Sequence, residues 1–308
     1  MARIYTLVNQ KGGVGKTTTT INLGAYLAYF GQRVLLIDLD PQSNTTACLG
    51  IDKHTVKSGT YEAVIDSAIV PESILHNPRL KLSLLPASPG LAGAEVELVN
   101  ELAREHRLKE ALAPIHERYD YVLIDCPPSL GLLTLNGMVA AKDGLIIPVQ
   151  CEYLALEGIS LLTETINRVR NAVYPGLKIR GVVLTMYDGR TNLSQDVVDE
   201  IRRHFPKQVM EAIIPRSVRL AEAPSYGVPI LAYHANSPGA KAYEELAREV
   251  LAADGVAVAV PTVADGTAVL VSPGIDVEVG VSVGVGVGSG VVSSRLSIQS
   301  SAPVSVSM

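Results

Sequence analysis

The stretch Asn9-Gln10-Lys11-Gly12-Gly13-Val14-Gly15-Lys16-Thr17-Thr18 joins a short apolar run at residues 4–8 to a helical pattern at residues 17–29, and it constrains the fold more than any other feature. Glycine lacks the Cβ that would block close approach, so successive backbone N–H groups at a helix N-terminus can wrap the oxygens of a phosphate chain. A lysine at position 16 reaches the outer phosphates, and the Thr17 hydroxyl supplies a ligand for Mg²⁺. Strand, loop and helix in this register imply a nucleoside triphosphate site made from Gly12, Gly13, Val14, Gly15, Lys16, Thr17 and Thr18.

The rest of the chain agrees with that start. Apolar β-rich runs at residues 4–8, 33–38, 80–85, 121–125, 144–149 and 179–186 alternate with helical patterns at 17–29, 94–112, 154–171, 194–205 and 238–251. Such alternation predicts an α/β fold, a doubly wound and mostly parallel sheet with helices on both faces, as in P-loop nucleotide hydrolases. One continuous domain over residues 1–253 accounts for the pattern without a linker. Residues 254–308 differ in kind: 16 Val, 10 Ser and 8 Gly, no aromatic side chain, one Arg and four acids. A segment with so little bulk to bury is expected to be a disordered tail, with a Val/Gly edge strand at 279–287 as the alternative. Three cysteines, Cys48, Cys126 and Cys151, form no C-x-x-C pair, which favours a reducing, cytoplasmic setting. The N-terminus lacks the pattern of a signal peptide, and no run reaches the roughly 18 to 20 apolar residues needed to span a bilayer.

Two further segments end apolar strands in acids. Leu35-Leu36-Ile37-Asp38-Leu39-Asp40-Pro41-Gln42 offers two carboxylates, and Tyr121-Val122-Leu123-Ile124-Asp125-Cys126-Pro127-Pro128 offers one. Strand C-termini border the ligand crevice of an open α/β sheet. Phosphoryl transfer to water needs held phosphates, neutralised charge and an oriented nucleophile. Lys16 and the loop amides are assigned to the phosphates, Asp125 to the outer shell of the metal, and Asp40 to the attacking water, with Asp38 as its rival.

The loop departs from the strict G-x-x-x-x-G-K-[ST] pattern, because Gln10 stands where the first glycine would fall. With Lys11, Gly12 and Gly13 it resembles instead the deviant Walker A ATPases, whose K-G-G-x-G-K-T-T loop carries a signature lysine. That resemblance implies that Lys11 contacts ATP across an ATP-dependent sandwich homodimer. Over roughly residues 2–251 the chain is similar to the ParA/Soj chromosome-partitioning ATPases. It shares with them Asp-Pro-Gln-Ser-Asn at 40–44, Asp-Cys-Pro-Pro-Ser-Leu-Gly at 125–131, Leu-Thr-Met-Tyr-Asp-Gly-Arg-Thr-Asn-Leu at 184–193 and Ile-Pro-Arg-Ser-Val-Arg-Leu-Ala-Glu-Ala-Pro-Ser-Tyr-Gly at 214–227. The resemblance implies hydrolysis of ATP with Mg²⁺, adenine near Pro215 and Ser217, non-specific binding to double-stranded DNA, and release when a ParB-like partner stimulates hydrolysis. Ser217 stands where Asn is common in that group.

Arg190, Arg202, Arg203, Lys207, Arg216 and Arg219 crowd one third of a nearly neutral body, and Arg190 and Arg219 match DNA-contacting positions of the Soj-like proteins. Nucleoid association in the cytoplasm follows from that reading. No segment before the first strand provides a helix-turn-helix for specific repression. The alternative is a membrane-cycling ATPase like MinD. Its terminal basic amphipathic helix has no counterpart in a tail with one Arg and no Lys. A metabolic enzyme that spends ATP on ligation is the more distant third reading, and the cysteines do not supply the pair of the iron–sulfur relatives.

Overall fold

The computed structural model describes residues 2–69, 71–153 and 155–258. The expected tail, with its alternative as an edge strand, therefore lies outside the described residues except for positions 254–258. Seven strands form one sheet: β1 (Arg3–Leu7), β2 (Val34–Asp38), β3 (Leu75–Asn77), β4 (Leu82–Leu85), β5 (Tyr121–Asp125), β6 (Gly144–Gln150) and β7 (Ile179–Thr185), in the order β3-β4-β2-β5-β1-β6-β7. Every neighbouring pair is parallel except β3 with β4. The chain leaves β1 for β2 on one side while β6 and β7 lie on the other, so a crevice opens at the carboxyl ends beside β1. Register places Leu7 and Asp38 on either side of Asp125.

The helices are α1 (Lys16–Tyr29), α2 (Asn44–Cys48), α3 (Thr60–Ile65), α4 (Leu91–Glu97), α5 (Arg107–Leu112), α6 (Leu132–Ala140), α7 (Ala155–Ala172), α8 (Asn192–His204), α9 (Val218–Glu222), α10 (Ile230–His234) and α11 (Pro238–Ala253). Side chains alternate along each strand, so each strand feeds two cores. Leu35, Ile37, Val122 and Ile124 pack with α3 to α8 on one face; Leu36, Tyr121 and Leu123 pack with α1 and α9 to α11 on the other. The doubly wound sheet read from the sequence is thus the fold of the chain.

Three expectations need correction. The single helix expected over 94–112 is broken: a 3₁₀ turn at Leu98–Asn100 follows α4, the chain turns extended at Glu101, and Ala103 adopts φ +51°. The cause is tertiary. Asn136, buried on α6, donates to the Arg104 carbonyl at 2.8 Å and accepts from the Leu108 N–H at 3.1 Å, which starts α5 afresh. Strand β3 and the helices α2, α3, α6, α9 and α10 went unread; α2, α3, α9 and α10 are too short for periodicity to separate from loop.

The third correction is the boundary. Asp254 belongs to the body, where its side chain, 4% exposed, accepts from the hydroxyls of Tyr5 at 2.7 Å and Tyr121 at 3.0 Å and pairs with Arg180 at 3.0 Å. This cluster ties the end of α11 to β1, β5 and β7. Asp254→Ala leaves a largely buried guanidinium unpaired, and a loss of about 3 kcal/mol in unfolding free energy is expected from urea titration. Truncation after residue 258 keeps the cluster and is expected to leave both stability and nucleotide turnover unchanged; a soluble truncated chain without turnover refutes this.

Candidate functional site

The loop leaves β1 at the carboxyl end of the sheet and is braced from both sides. Asn9 Nδ2 donates to the Pro148 carbonyl at 2.7 Å and its Oδ1 accepts from the Lys11 N–H at 3.0 Å, while Thr185 Oγ1 at the end of β7 donates to the Val14 carbonyl at 2.8 Å. Gly13 has φ +74°, and Gly15, the residue capping α1, has φ +89°. Both lie in the left-handed region, where a side chain is strained, so glycine is required there for a conformational reason as well as for close approach. Val14, 1% exposed, anchors the loop in the protein interior.

A cavity of about 370 Å³ opens over this loop, lined by Gly12, Gly13, Gly15, Lys16, Thr17 and Thr18 on one side and by Asp40, Gln42, Asn44, Cys48, Pro128 and Met186 on the other. The Lys16 ammonium is buried at its rim, donating to the carbonyls of Asn9 at 3.0 Å and Lys11 at 3.2 Å. Burial pulls its pKa below the usual lysine value, and the negative charge of Asp125 opposes that shift. Thr17 Oγ1 and Thr45 Oγ1 each donate to Asp125 Oδ2 at 2.7 Å, and Thr20 Oγ1 to Oδ1 at 3.4 Å. A positive group at the base of a glycine loop, beside a hydroxyl and a buried carboxylate, fits a phosphate chain with a hard divalent cation. Mg²⁺ would be held through Thr17 with Asp125 behind it, and it would neutralise phosphate charge.

The two acids of the second motif occupy different surroundings. Asp38 is fully buried and its carboxyl is spoken for, accepting from the Thr46 N–H at 2.8 Å, Thr46 Oγ1 at 2.7 Å and the Asp40 N–H at 3.2 Å. Asp40 lines the cavity, and its Oδ1 accepts from the Gln42 N–H at 2.9 Å. Burial, with the nearby charge of Asp125, raises the Asp38 pKa to about 7 against the hydrogen bonds from Thr46. Burial likewise raises Asp125 to about 6, although Thr17, Thr45 and Lys16 favour its charge.

These shifts carry a sign. The unfolded chain loses these protons near pH 4 while the folded chain keeps them toward pH 6 to 7, so folding is favoured at acid pH and weakens as pH rises through that window. The nucleotide-free protein is therefore expected to lose stability between pH 4 and 7, in a melt series, with a smaller loss in Asp38→Asn.

Lys11 is drawn away from the cavity: its ammonium lies 3.5 Å from Glu152, which also pairs with Arg216 at 3.4 Å. Pro215 bridges to Tyr187, next to the cavity residue Met186, and Ser217 Oγ caps α9 by accepting from the Leu220 N–H. Neither Pro215 nor Ser217 lines the cavity. Gln42, Asn44, Pro128 and Met186 were missed, as were the braces Asn9, Thr45 and Thr185. Met186 stands at φ +52° on a non-glycine residue, which no sequence pattern announces.

The family model of an AAA domain, AAA_31, matches residues 2–179. The sporulation initiation inhibitor protein Soj of Bacillus subtilis is 52% identical over 252 residues, covering 82% of this chain and 99% of its own. The chromosome partitioning protein ParA of Myxococcus xanthus is 51% identical over 255 residues, covering 82% and 89%. The chain belongs to the Soj/ParA chromosome-partitioning family. The solved structure of cobyrinic acid a,c-diamide synthase from Mycobacterium smegmatis with bound ADP and magnesium is similar, with TM-score 0.72 and 39% identity, covering 82% of this chain and 94% of that one.

The cationic surface expected of a Soj/ParA chain is divided. Arg190 forks onto Asp188, with contacts of 2.8 and 2.6 Å, and Arg219 pairs with Glu222 at 2.9 Å; both guanidinium groups are exposed. Arg202 pairs with Glu211 at 3.5 Å and Arg203 with Glu200. Arg190, Arg216 and Arg219 follow the carboxyl end of β7, whereas Arg202, Arg203 and Lys207 sit where α8 has run back to the start of that strand. Lys207 lines one cleft with Lys178 and Ile179 at that start, and the Val182 N–H in mid-strand donates to the next residue's carbonyl, Gln208, at 2.8 Å. Among the described residues no helix is long and apolar enough to cross a membrane.

Proposed function

We propose that this chain is a partitioning ATPase: it binds ATP with Mg²⁺, forms an ATP-dependent homodimer that binds double-stranded DNA without sequence preference, and leaves the DNA after hydrolysis stimulated by a ParB-like partner. The single observation that carries the reading is the cavity in which Lys16, Thr17 and Asp40 meet one glycine loop, with the buried Asp125 behind Thr17. Support also comes from the ADP and magnesium named for the M. smegmatis structure. The loop amides and Lys16 hold the phosphates, and Mg²⁺ at Thr17 balances their charge. Asp40, with one carboxylate oxygen free of the Gln42 amide, orients and deprotonates the water. Lys11 acts in trans after exchanging Glu152 for the partner's phosphates. Pro215 and Ser217 close on the adenine.

Arg190 and Arg219 contact DNA phosphates. Both guanidinium groups are solvent-exposed although Asp188 and Glu222 are partly buried, and water screens such pairs, so exchange for phosphate costs little. The test is binding to unrelated duplex DNA, with and without ATP and Mg²⁺, across a salt series. Binding is expected only with ATP and to fall steeply with salt. Arg190→Ala and Arg219→Ala are each expected to lower the log–log salt slope by about one for every subunit bound. DNA ignored under all conditions, with ATP still hydrolysed, refutes the nucleoid reading. The M. smegmatis relative's name favours a second reading, ATP-driven amide formation. Turnover raised by a small acid and ammonia, without DNA, would favour it.

A further inference from the structure

A second cleft, of about 460 Å³, lies between α7, α8 and the start of β7. Neighbouring strands are parallel here, so this end of the sheet is opposite the carboxyl end that carries the glycine loop. Arg170, Lys178, His204 and Lys207 line it, with Thr163, Asn167 and Gln208 as neutral hydrogen-bonding groups and Ile166 and Phe205 as an apolar floor. No aspartate or glutamate is among its lining residues.

The charges here are balanced differently from those of the arginines along α8 and after β7. Arg190, Arg202, Arg203, Arg216 and Arg219 each have a carboxylate partner. Among the described residues the ammonium groups of Lys178 and Lys207 have none, and both residues are exposed. Arg170 is held in place by its own bonds, Nε donating to the Leu177 carbonyl at 2.9 Å and Nη1 to Asn167 Oδ1 at 3.0 Å, which orients the guanidinium without neutralising it. Glu200 lies 3.5 Å from His204 Nδ1 and is shared with Arg203. Three fixed positive charges converging on one concavity exceed what a single carboxylate ligand would balance, whereas a phosphate group carries more charge and more acceptor oxygens.

We infer that this cleft is a phosphate-binding site separate from the nucleotide cavity, with Lys178 and Lys207 as point charges and Arg170 as a preset fork. Its phosphate comes either from a nucleic-acid backbone or from a free phosphorylated ligand. The backbone arm rests on the DNA reading above; the free-ligand arm does not.

Two measurements on the full chain separate these sources. In the first, the protein is saturated with ADP and Mg²⁺ so that the glycine loop is filled, and inorganic pyrophosphate is titrated by calorimetry. In the second, anisotropy of labelled unrelated duplex DNA is followed with ATP and Mg²⁺ across salt. The variant is Lys178→Glu with Lys207→Glu, and Lys178→Gln with Lys207→Gln serves if charge reversal disturbs the melt. Pyrophosphate uptake by the wild type that is lost in the variant supports the site with a free ligand. A salt slope lowered by about two for every subunit bound supports it with a nucleic-acid backbone. No pyrophosphate uptake, together with an unchanged slope or no duplex binding at all, overturns it. Should the wild type ignore DNA yet take up pyrophosphate at this site, the DNA reading falls and the cleft stands.

Discussion

Lys16→Ala is expected to weaken nucleotide binding by roughly 10²- to 10⁴-fold, the largest effect on affinity of any single change at the site. Lys16 is 7% exposed, yet among the described residues its ammonium donates to two backbone carbonyls and to no side chain. A buried charge so lightly compensated is costly to keep, and its lowered pKa expresses that cost. Phosphate oxygens complete its shell with charge-assisted bonds worth about 1.5 to 3 kcal/mol each. Two such bonds correspond to the stated loss of affinity at about 1.4 kcal/mol per tenfold. The free protein has little to lose by the same change, so its melting temperature should stay within a few degrees of wild type. Calorimetric titration with a non-hydrolysable ATP analogue checks the affinity, and a thermal melt of the nucleotide-free variant checks the stability. Affinity within threefold of wild type would remove Lys16 from the phosphate site.

Asp40 carries the second large effect, on turnover and not on binding. A positioned general base contributes about 10²- to 10⁴-fold, so Asp40→Ala should lose turnover by that factor while nucleotide-dependent association is retained. Asp40→Asn is the sharper variant, because an amide oxygen still accepts from the Gln42 N–H and holds the turn while the basic carboxylate is gone. Single-turnover hydrolysis and light scattering, run together, separate chemistry from assembly. Normal hydrolysis in Asp40→Asn would move water activation to Asp38. That residue would then have to release one of three hydrogen bonds, which is why Asp40 is preferred.

What could be read early depended on the range of the interaction. Gly13 and Gly15 are needed by backbone angles set within a few residues, and β1, β2 and β5 are apolar runs whose burial on both faces leaves a continuous signature. Asp38, Asp40 and Asp125 follow, because strands of a parallel sheet end at one edge and bring their last residues together. The broken helix at 94–112 shows the other case, since the helical pattern is real and Asn136, from another helix, overrides it.

The amino-acid order alone therefore determined the sheet class, the loop, the acids that face it and membership of the nucleotide-binding class. These rest on local backbone preference and on the period of apolar residues, both written along the chain. Tertiary structure alone decided that Asp254 locks the end of the body against Tyr5, Tyr121 and Arg180, and that Asp38 is occupied while Asp40 is open. It also decided that Lys11 rests on Glu152 and that the basic residues divide between two ends of the sheet. Each of these joins groups far apart in sequence or weighs rival partners at one atom. Burial and hydrogen-bond competition settle such choices only after the chain has closed on itself.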